Sequence, residues 1–519
     1  MTSTPEEILD SLRRIAERGD DSKAARDPRL APLRIETFDD LDALLGALGG
    51  ASWLSDLEGG PADAALAEVC ARMWQFLQTD RSRRGLEQDT VASIVQLYRR
   101  LNPQSGARPQ LLRTLAAAGD GDSLAAFADL LTSNPPRGEG DPALPFLPLF
   151  QQPEYAVEAL FPRLLALLDQ PAYAAVVLDL ANFLARQGRV DEHPAAERVN
   201  QLATLLGALV QRLEQIGERP KDFASSPQEL TRLVGEGVAL VVPLCDALAQ
   251  IGDDRVTGKL HQALGLPHRR LRTEAAAALA RLGDEAGLEA LVGMASEPIV
   301  RSRVLAYLSE LGQLERAAEA HRSPQARAEG DVTAWLAEPA HFGSAPTSLE
   351  LIDHTRLFWP GYSEQVDCYL FRFEYRLGER SHSGIALAGP VTHVVNVDLQ
   401  DLPPADIYAV YAGWHAEHED IREKAADELA PAEAAAWRAV REQLEAGGYE
   451  GVELVKAAQF FEQVHWVAAA RHGGRPGVVI VSGQDAHWHP TAATRRPLGP
   501  TEVYYLHKGR EILRTFNPS

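Results

Sequence analysis

Histidines and acids gather near the end of the chain in two short segments whose residue types could support chemistry. In the first, Asp485, His487 and His489 alternate, so an extended backbone would place all three side chains on one face. Imidazole and carboxylate groups are ligands for zinc, and such a face could form part of a metal site. A polar strand end or loop, with stacking around Trp488, explains the same residues without a metal. We favour that interpretation, because spacing alone supplies no third histidine.

The second segment, residues 413–420, holds two histidines and three acids. On a helix, His418 and Glu419 would follow His415 by three and four residues and would lie beside it. Together with the first segment they could form a metal or acid/base centre. The pattern is not the His-Glu-x-x-His signature of zinc hydrolases. A solvated helix end is again the interpretation that we favour.

The patterns of nucleotide-binding proteins and serine hydrolases are incomplete in this chain. Gly235 and Gly237 lack the third glycine of a dinucleotide-binding turn. No Gly-x-Ser-x-Gly occurs, and Ser383 beside His382 has no orienting acid nearby in sequence. The sequence therefore predicts no catalytic, cofactor-binding or metal-ligating residue, and no cofactor.

Charge and composition argue against several classes of protein. The 519 residues include 51 basic and 73 acidic side chains, a net charge of −22, whereas nucleic-acid binders need a basic surface for phosphate contacts. The three cysteines, Cys70, Cys245 and Cys368, are too far apart for a Cys-x-x-Cys site. No long uninterrupted apolar stretch and no signal pattern occur. We expect a cytoplasmic protein that binds neither nucleic acid nor membrane, and whose acid excess serves solubility or attracts a basic protein partner.

The first part of the chain shows a repeated helical pattern. Gly252, Gly283 and Gly312 each close an apolar stretch and stand 31 and 29 residues apart. Residues 278–284 (Ala-Leu-Ala-Arg-Leu-Gly-Asp) repeat residues 247–253 (Ala-Leu-Ala-Gln-Ile-Gly-Asp). A fixed period of this length indicates a solenoid in which helix pairs stack on their neighbours.

The apolar spacing sets the register of these repeats. A shift of 29 residues places Arg272, Ala275, Leu279, Leu282 and Gly283 on Arg301, Val304, Leu308, Leu311 and Gly312. We expect Leu279 and Leu308 to be buried at equivalent places between helices. On the same pattern, Glu274 is expected on the opposite, exposed face.

These repeats resemble short HEAT-like repeats of the phycobilisome-lyase type, which are found in many bacterial proteins. The resemblance rests on Leu271-Arg272 and Val300-Arg301, which open the second helix of a pair, and on the Leu-Gly-Asp closure. It covers residues 245–312 and, more loosely, residues 110–325. It implies a solenoid that binds proteins.

Some proteins with such repeats are lyases or hydroxylases, and the hydroxylases carry His-Glu pairs within the repeats. The single His-Glu pair here, His418-Glu419, lies outside the repeats, so the resemblance does not imply hydroxylase activity. A lyase that handles bilins would need a suitable cysteine, whereas Cys70 and Cys245 lie on apolar faces of predicted helices.

The chemistry of the chain changes after the repeats. Eleven of the fifteen histidines lie in residues 341–519. Tyr369, Phe371, Phe373 and Tyr375 alternate, which predicts a strand whose aromatic face packs on the two helices of this region. Further strands are predicted at 382–389, 391–398, 463–470 and 476–482, helices at 404–420 and 431–447, and a closing hairpin at 502–516 about Lys508 and Gly509.

The sequence therefore predicts a multidomain protein, an α-helical solenoid of HEAT-like repeats followed by an α+β domain with an antiparallel sheet. The solenoid is expected over residues 1–325, with its clearest repeats at 245–315. A joint punctuated by Pro and Gly follows at 326–348, and the α+β domain, of a type that resembles the uncharacterised tail domain of some bacterial HEAT-repeat proteins, covers 349–519.

The function that these features favour is a non-catalytic scaffold or adaptor for protein–protein interaction. Two alternatives stay open. One is a metal-assisted enzyme centred on the histidine-rich C-terminal domain, and the other is a chaperone-like lyase of the phycobilisome type.

Overall fold

Helices alone form the described chain up to residue 337, and strands and helices follow. The computed structural model describes residues 4–18, 34–57, 59–79, 85–137, 140–151, 154–378, 380–395, 399–491 and 496–518. Two compact units divide the chain, Met1–Ala290 and Leu291–Ser519. We call them the N-terminal unit and the C-terminal unit. The joint expected at 326–348 stays a prediction.

The N-terminal unit contains thirteen helices within its described residues and the start of a fourteenth. They are α1 (Pro5–Arg18), α2 (Phe38–Gly50), α3 (Gly60–Thr79), α4 (Gln88–Arg100), α5 (Ala107–Ala118), α6 (Gly121–Ser133), α7 (Leu147–Gln151), α8 (Val157–Leu160), α9 (Pro171–Arg186), α10 (Val199–Glu218), α11 (Pro227–Ile251), α12 (Thr257–Leu264), α13 (Arg269–Arg281) and α14 (Glu285–Met294).

The glycines that close the repeats adopt the conformation that their position requires. Gly252, Gly283 and Gly312 have φ angles of 75°, 81° and 65°, a left-handed region that side chains with a Cβ rarely adopt. Leu279 and Leu308 are both 0% exposed. The register predicted from the 29-residue shift is therefore confirmed at these two leucines.

The exposed position predicted for Glu274 is wrong. Glu274 is 4% exposed, because α13 packs against both α11 and α12 and is buried around almost its whole circumference. Burial first, and then the charges of Glu274 and Asp246, raise the pKa of the Cys245 thiol of α11 well above its usual range. A helix enclosed on all sides has no solvent face, so the one-sided pattern used for the prediction did not apply.

Helix α11 is unusually long and apolar. By length and composition it is the one helix in the described residues that could cross a membrane, and half of its most apolar window is buried inside the protein. It packs against α9, α10 and α13, as the core helix of a helical unit does. Length and composition are therefore weak evidence here for a membrane span.

The C-terminal unit continues from α14 with six helices and nine strands among its described residues. They are α15 (Pro298–Glu310), α16 (Glu319–Arg322), α17 (Pro324–Ala337), β1 (Ser348–Phe358), β2 (Gln365–Leu377), β3 (Arg380–Ala388), β4 (His393–Val395), α18 (Pro404–His415), β5 (Ile421–Lys424), α19 (Pro431–Ala446), β6 (Tyr449–Phe460), β7 (Gln463–His472), β8 (Arg475–Ser482), β9 (Asp485–Pro490) and α20 (Pro500–Phe516).

Two antiparallel sheets organise this unit, and helices cover both faces of each. The first sheet has the order β1-β2-β3-β4 and the second has the order β5-β6-β7-β8-β9. One face of each sheet shares a single core with α18 and α20. The opposite faces pack on α17 in the first sheet and on α19 in the second.

The aromatic face of β2 is buried, but its partner differs from the prediction. Tyr369, Phe371, Phe373 and Tyr375 form a core with Ala328, Val332 and Leu336 of α17. The two predicted helices instead became α18, which packs on the other face of β2 and β3, and α19, which packs on the second sheet. Alternation identified the face but not the helix that covers it.

The C-terminal unit contains two copies of one arrangement. An outer helix, a meander of four antiparallel strands and an inner helix form the first copy (α17, β1–β4, α18) and again the second (α19, β6–β9, α20). The inner helices repeat in sequence at a shift of 96 residues. Leu402, Pro404, Asp406, Ile407, Tyr408, Val410 and Gly413 fall on Leu498, Pro500, Glu502, Val503, Tyr504, Leu506 and Gly509.

The sheets of the two copies share an irregularity as well as an order. A β-bulge interrupts β1 between Leu351 and Asp353, where it pairs with β2, and β6 is interrupted between Glu450 and Glu453 and again between Leu454 and Lys456, where it pairs with β7. Alignment of the β1 bulge with the second interruption of β6 also places Ile352 on Val455, and both of these side chains pack against the shared core. Asp353 is then equivalent to Lys456.

Three predicted elements of this unit need correction. The hairpin at 502–516 is wrong, because the segment is the helix α20 and Gly509 lies in its interior against the backbone of Ala409. The helix predicted at 404–420 ends at His415, and Ile421–Lys424 forms the strand β5. The strand predicted at 391–398 is observed over His393–Val395, and residues 396–398 lie outside the described chain.

Candidate functional site

The first histidine segment forms the edge strand β9. Its backbone is therefore extended, which is the condition under which alternating side chains share a face. Its partner is β8, with His487 opposite Ile480 and His489 opposite Val478. Ile480 and Val478 belong to the core that faces α20, so the two histidines point to that side of the sheet. Asp485 lies at the exposed turn where β9 begins.

Two histidines that sequence spacing did not connect complete a cluster. His465 comes from β7 and His507 from α20, and the centroid of the His507 ring lies 5.7 Å from that of His465. The ring centroids of His487 and His489 lie 6.1 and 6.2 Å from the centroid of the His507 ring. We call these four side chains the histidine cluster. A strand, an edge strand and a helix far apart in sequence supply them.

Electrostatics favours neutral imidazoles at three members of the histidine cluster, His465, His489 and His507. Burial, and then the neighbouring His465, His489 and His487 and Arg510, lower the pKa of His507 to about 3. Burial also lowers the pKa of His465 and of His489. These rings are therefore packed as neutral groups in the core between the second sheet and α20.

The histidine cluster does not have the geometry of a metal centre. The Nε2 atoms of His489 and His507 are buried without a hydrogen-bond partner, which leaves nitrogen lone pairs or N–H groups unsatisfied. Even so, no three His, Cys, Asp or Glu side chains in the described part of the chain are arranged to hold a metal ion. The expectation that the protein uses no metal and no cofactor stays a prediction.

His415 and His418 do not join the histidine cluster through any ring contact among the described residues. The indole Nε1–H of Trp359 donates to Nδ1 of His415 at 3.1 Å. The ring of His418 lies against Phe461 and Phe516, with centroids 5.3 and 5.8 Å away. The combined centre of both histidine segments is thus not assembled.

The three cysteines are buried thiols, and for Cys70 and Cys245 the predicted apolar helix faces agree with this. Cys70, Cys245 and Cys368 are free and buried. Burial, followed by a nearby carboxylate, raises the pKa of Cys70 and of Cys368 to about 12. Thiols of this kind are poor nucleophiles at neutral pH.

A buried arginine after the repeat-closing Gly283 joins α15 to α17. The guanidinium of Arg301 in α15 is 4% exposed and donates to the carbonyl of Ala326 and to Glu329 of α17, at 2.7 and 2.6 Å. Gly330 of α17 allows close approach, since a Cβ there would lie 3.1 Å from the carbonyl oxygen of Pro298. Arg301, which the resemblance singled out, thus joins two stacked helices.

The first helices of successive repeats carry exposed acids. Glu289 lies on α14 and Glu319 opens α16, 30 residues later, and both are exposed. Glu289 follows Gly283 by six residues and Glu319 follows Gly312 by seven, so each acid lies in the helix that comes after a repeat-closing glycine.

The comparisons with known proteins bear on this region. Residues 244–320 match the family of HEAT repeats. The chain therefore carries HEAT-like repeats. The match covers the same helices as the 29–31-residue period of the glycines, and the finer phycobilisome-lyase type stays a prediction. A search of curated proteins gives no match.

Proposed function

We propose that this chain is a non-catalytic, cytoplasmic scaffold or adaptor whose HEAT-like repeats bind a protein partner. The observation that carries the proposal is the HEAT match over residues 244–320 together with the tandem helices that the structure has there. Stacked helix pairs present an extended surface and bind other proteins in many repeat families. The buried thiols and the histidine cluster without metal geometry add no observation in favour of catalysis.

The chemistry of the partner is inferred from the acid excess of the whole chain, whose net charge is −22. Glu289 and Glu319 are exposed acids on the first helices of successive repeats. A partner with a basic surface would be attracted from a distance, and its binding would weaken as salt screens the charges. The preferred partner is therefore a protein with a basic patch.

The test uses the full chain with two charges reversed on the repeats. The variant Glu289→Lys with Glu319→Lys is compared with the wild type as bait, and captured proteins are quantified at low and at physiological salt. The control, Glu442→Lys with Glu453→Lys, makes the same change in net charge at exposed positions outside the repeats. We expect the first variant alone to lose the partner that the wild type captures.

Equal capture by both variants would show that the repeats do not bind through these acids. A wild-type chain that captures no protein reproducibly at either salt concentration would contradict the scaffold function itself.

A further inference from the structure

The two copies in the C-terminal unit differ at one edge of their sheets. In the second copy, β5 pairs antiparallel with the outer edge of β6, with Glu423 opposite Ala458. In the first copy, β1 is the edge strand, and no strand among the described residues pairs with its outer edge. The first copy therefore lacks the strand that the second copy has.

Alignment on the common bulge identifies the corresponding residues. Since Asp353 is equivalent to Lys456, Thr355 is equivalent to Ala458. Ala458 is 1% exposed beneath β5, whereas Thr355 is partly exposed. The absence of an edge strand beside β1 explains why Thr355 is more exposed than Ala458.

In the second copy, a side chain of β5 fills the space between the sheet edge and α20. The carboxylate of Glu423 accepts hydrogen bonds from Nζ of Lys456, from the hydroxyl of Tyr504 and from Nζ of Lys508, at 2.5, 2.5 and 2.8 Å. Burial alone would raise the pKa of Glu423, but these hydrogen bonds hold it at about 2. This space thus accepts one charged side chain of an added strand and compensates its charge.

In the first copy, the corresponding space is an open groove. A cavity of about 600 Å³ lies between β1, the start of α18 and the end of α20. Its lining includes Asp353, Thr355, Tyr408, Arg510, Leu513 and Asn517. Tyr408 is equivalent to Tyr504, and the small Ala412 stands where the second copy has Lys508. The open cavity itself leaves room for an incoming side chain.

The backbone of β1 already has a substitute partner at one position. The side-chain amide of Asn517 accepts from the N–H of Phe358 at 2.8 Å and donates to its carbonyl at 3.0 Å. In the second copy, the N–H of Phe461 after β6 donates instead to the carbonyl of Asp420 before β5. Because outward-facing residues alternate along an antiparallel edge, the backbone groups of Arg356 and His354 also point away from β2.

The charge in the groove is reversed relative to the second copy. Asp353 replaces a lysine, and its carboxylate lies near the hydroxyl of Tyr408, which donates to the carbonyl of Cys368 at 3.2 Å. Arg510 forms an ion pair with Asp406, with an N···O distance of 2.7 Å. Arg514 forms an ion pair with Glu511, with an N···O distance of 2.5 Å. Among the described residues, no cationic side chain lies within ion-pair distance of Asp353. Its carboxylate is therefore available to pair with a basic side chain of a ligand.

We propose that the outer edge of β1 binds an extended segment of a partner protein as an added antiparallel strand, with a Lys or Arg of that segment entering the groove to pair with Asp353 and Tyr408. The added strand takes the place that β5 takes in the second copy, and strand addition at an open edge is a general mode of peptide recognition. This site lies outside the repeats and does not depend on the proposed scaffold function.

A synthetic peptide based on β5 tests the proposal with the full chain. The probe is a fluorescein-labelled peptide with the sequence of residues 418–426 and the change Glu423→Lys, and the matched probe keeps the glutamate. Fluorescence anisotropy is expected to show that the wild type prefers the lysine peptide by about tenfold. The variant Asp353→Lys recreates the charge of the second copy, and it is expected to reverse this preference.

A second measurement and a control separate strand addition from general charge effects. The variant Glu364→Lys changes net charge equally at an exposed turn outside the groove, and it should keep the wild-type preference. Hydrogen–deuterium exchange should slow within residues 353–358 when the lysine peptide is bound to the wild type. If Asp353→Lys does not fold, Asp353→Asn has nearly the shape of the native residue and should abolish the preference for lysine.

Three outcomes would overturn the proposal. The first is that neither peptide binds the wild type at up to about 1 mM. The second is that Asp353→Lys and the wild type rank the two peptides alike. The third is a dimer of the chain in sedimentation experiments that Asp353→Lys dissociates, since this would assign the edge to a second copy of the chain.

Discussion

His507 lies at the centre of the histidine cluster, and its protonation is coupled to stability. Burial and the neighbouring histidines lower its pKa to about 3 in the folded protein, while an unfolded chain takes up the proton near pH 6.5. Protons therefore favour the unfolded state as the pH falls below about 6.5. The stability that depends on neutral His507 is complete above that pH and is lost progressively toward pH 3.

We predict that His507→Phe makes the C-terminal unit less sensitive to acid. The change keeps an aromatic ring, as Tyr411 does at the equivalent place in the first copy. In the wild type, protonation of His507 on unfolding is expected to lower the free energy of unfolding by about 2 kcal/mol at pH 5, and the variant lacks this loss. Denaturant unfolding followed by tryptophan fluorescence at about pH 7 and pH 5 measures the difference. His321→Gln, outside the cluster, should behave as the wild type, and an unchanged acid sensitivity in His507→Phe would assign it to other groups.

Single residues were predictable where the local pattern alone decides their environment. Leu279 and Leu308 repeat at a fixed spacing, and His487 and His489 alternate as a strand requires. His507 was not predictable as their neighbour, because only the packing of α20 against the second sheet brings it there. The prediction that Glu274 is exposed was wrong for a related reason, since its burial depends on helices that pack around α13.

At the scale of elements, the two inner helices meet through glycine. A Cβ on Gly509 would lie 1.6 Å from the carbonyl oxygen of Ala409, and one on Gly413 would lie 2.1 Å from that of Tyr505. Both contacts are with backbone, which cannot rotate out of the way. The approach of α18 and α20 therefore depends on the absence of a side chain at both glycines.

We predict that Gly509→Ala destabilises the C-terminal unit, although alanine favours helices. The added methyl group would force the two inner helices apart, at a cost of about 3 kcal/mol or more. Thermal unfolding followed by tryptophan fluorescence measures the change. At Gly499 a Cβ meets its nearest atom at 3.6 Å, so Gly499→Ala should change stability little. If Gly509→Ala were as stable as the wild type, α18 and α20 could not be in such close contact.

Elements that end on local signals were easier to predict than those defined by distant contacts. The repeat helices end at glycines whose left-handed conformation the sequence itself indicates. In α20, Lys508 and Gly509 resemble a hairpin turn, and the glycine is explained only by Ala409, one hundred residues earlier. The strand β5 is short, and its edge position depends on β6, so the sequence between α18 and α19 did not reveal it.

At the scale of the whole molecule, each compact unit has extensive buried cores. A core of the N-terminal unit extends from Ile8 to Leu279, and three cores of the C-terminal unit are formed by residues from Ala328 onward. Six of the eight tryptophans lie from Trp335 onward, so tryptophan fluorescence reports mainly on the C-terminal unit. Circular dichroism at the helix band reports more strongly on the N-terminal unit, whose described residues form no strand.

These properties allow a test of whether the units unfold separately. Leu279 is fully buried in α13, so Leu279→Asp places an unpaired charge in the N-terminal core at a cost of several kcal/mol. Since a domain is stable by about 5–15 kcal/mol, we predict a large loss of helical signal at a lowered temperature while the fluorescence transition stays near that of the wild type. Gly509→Ala should give the reverse pattern. If Leu279→Asp shifts both signals together, the chain unfolds as one cooperative body, and the division at residue 290 has no thermodynamic counterpart.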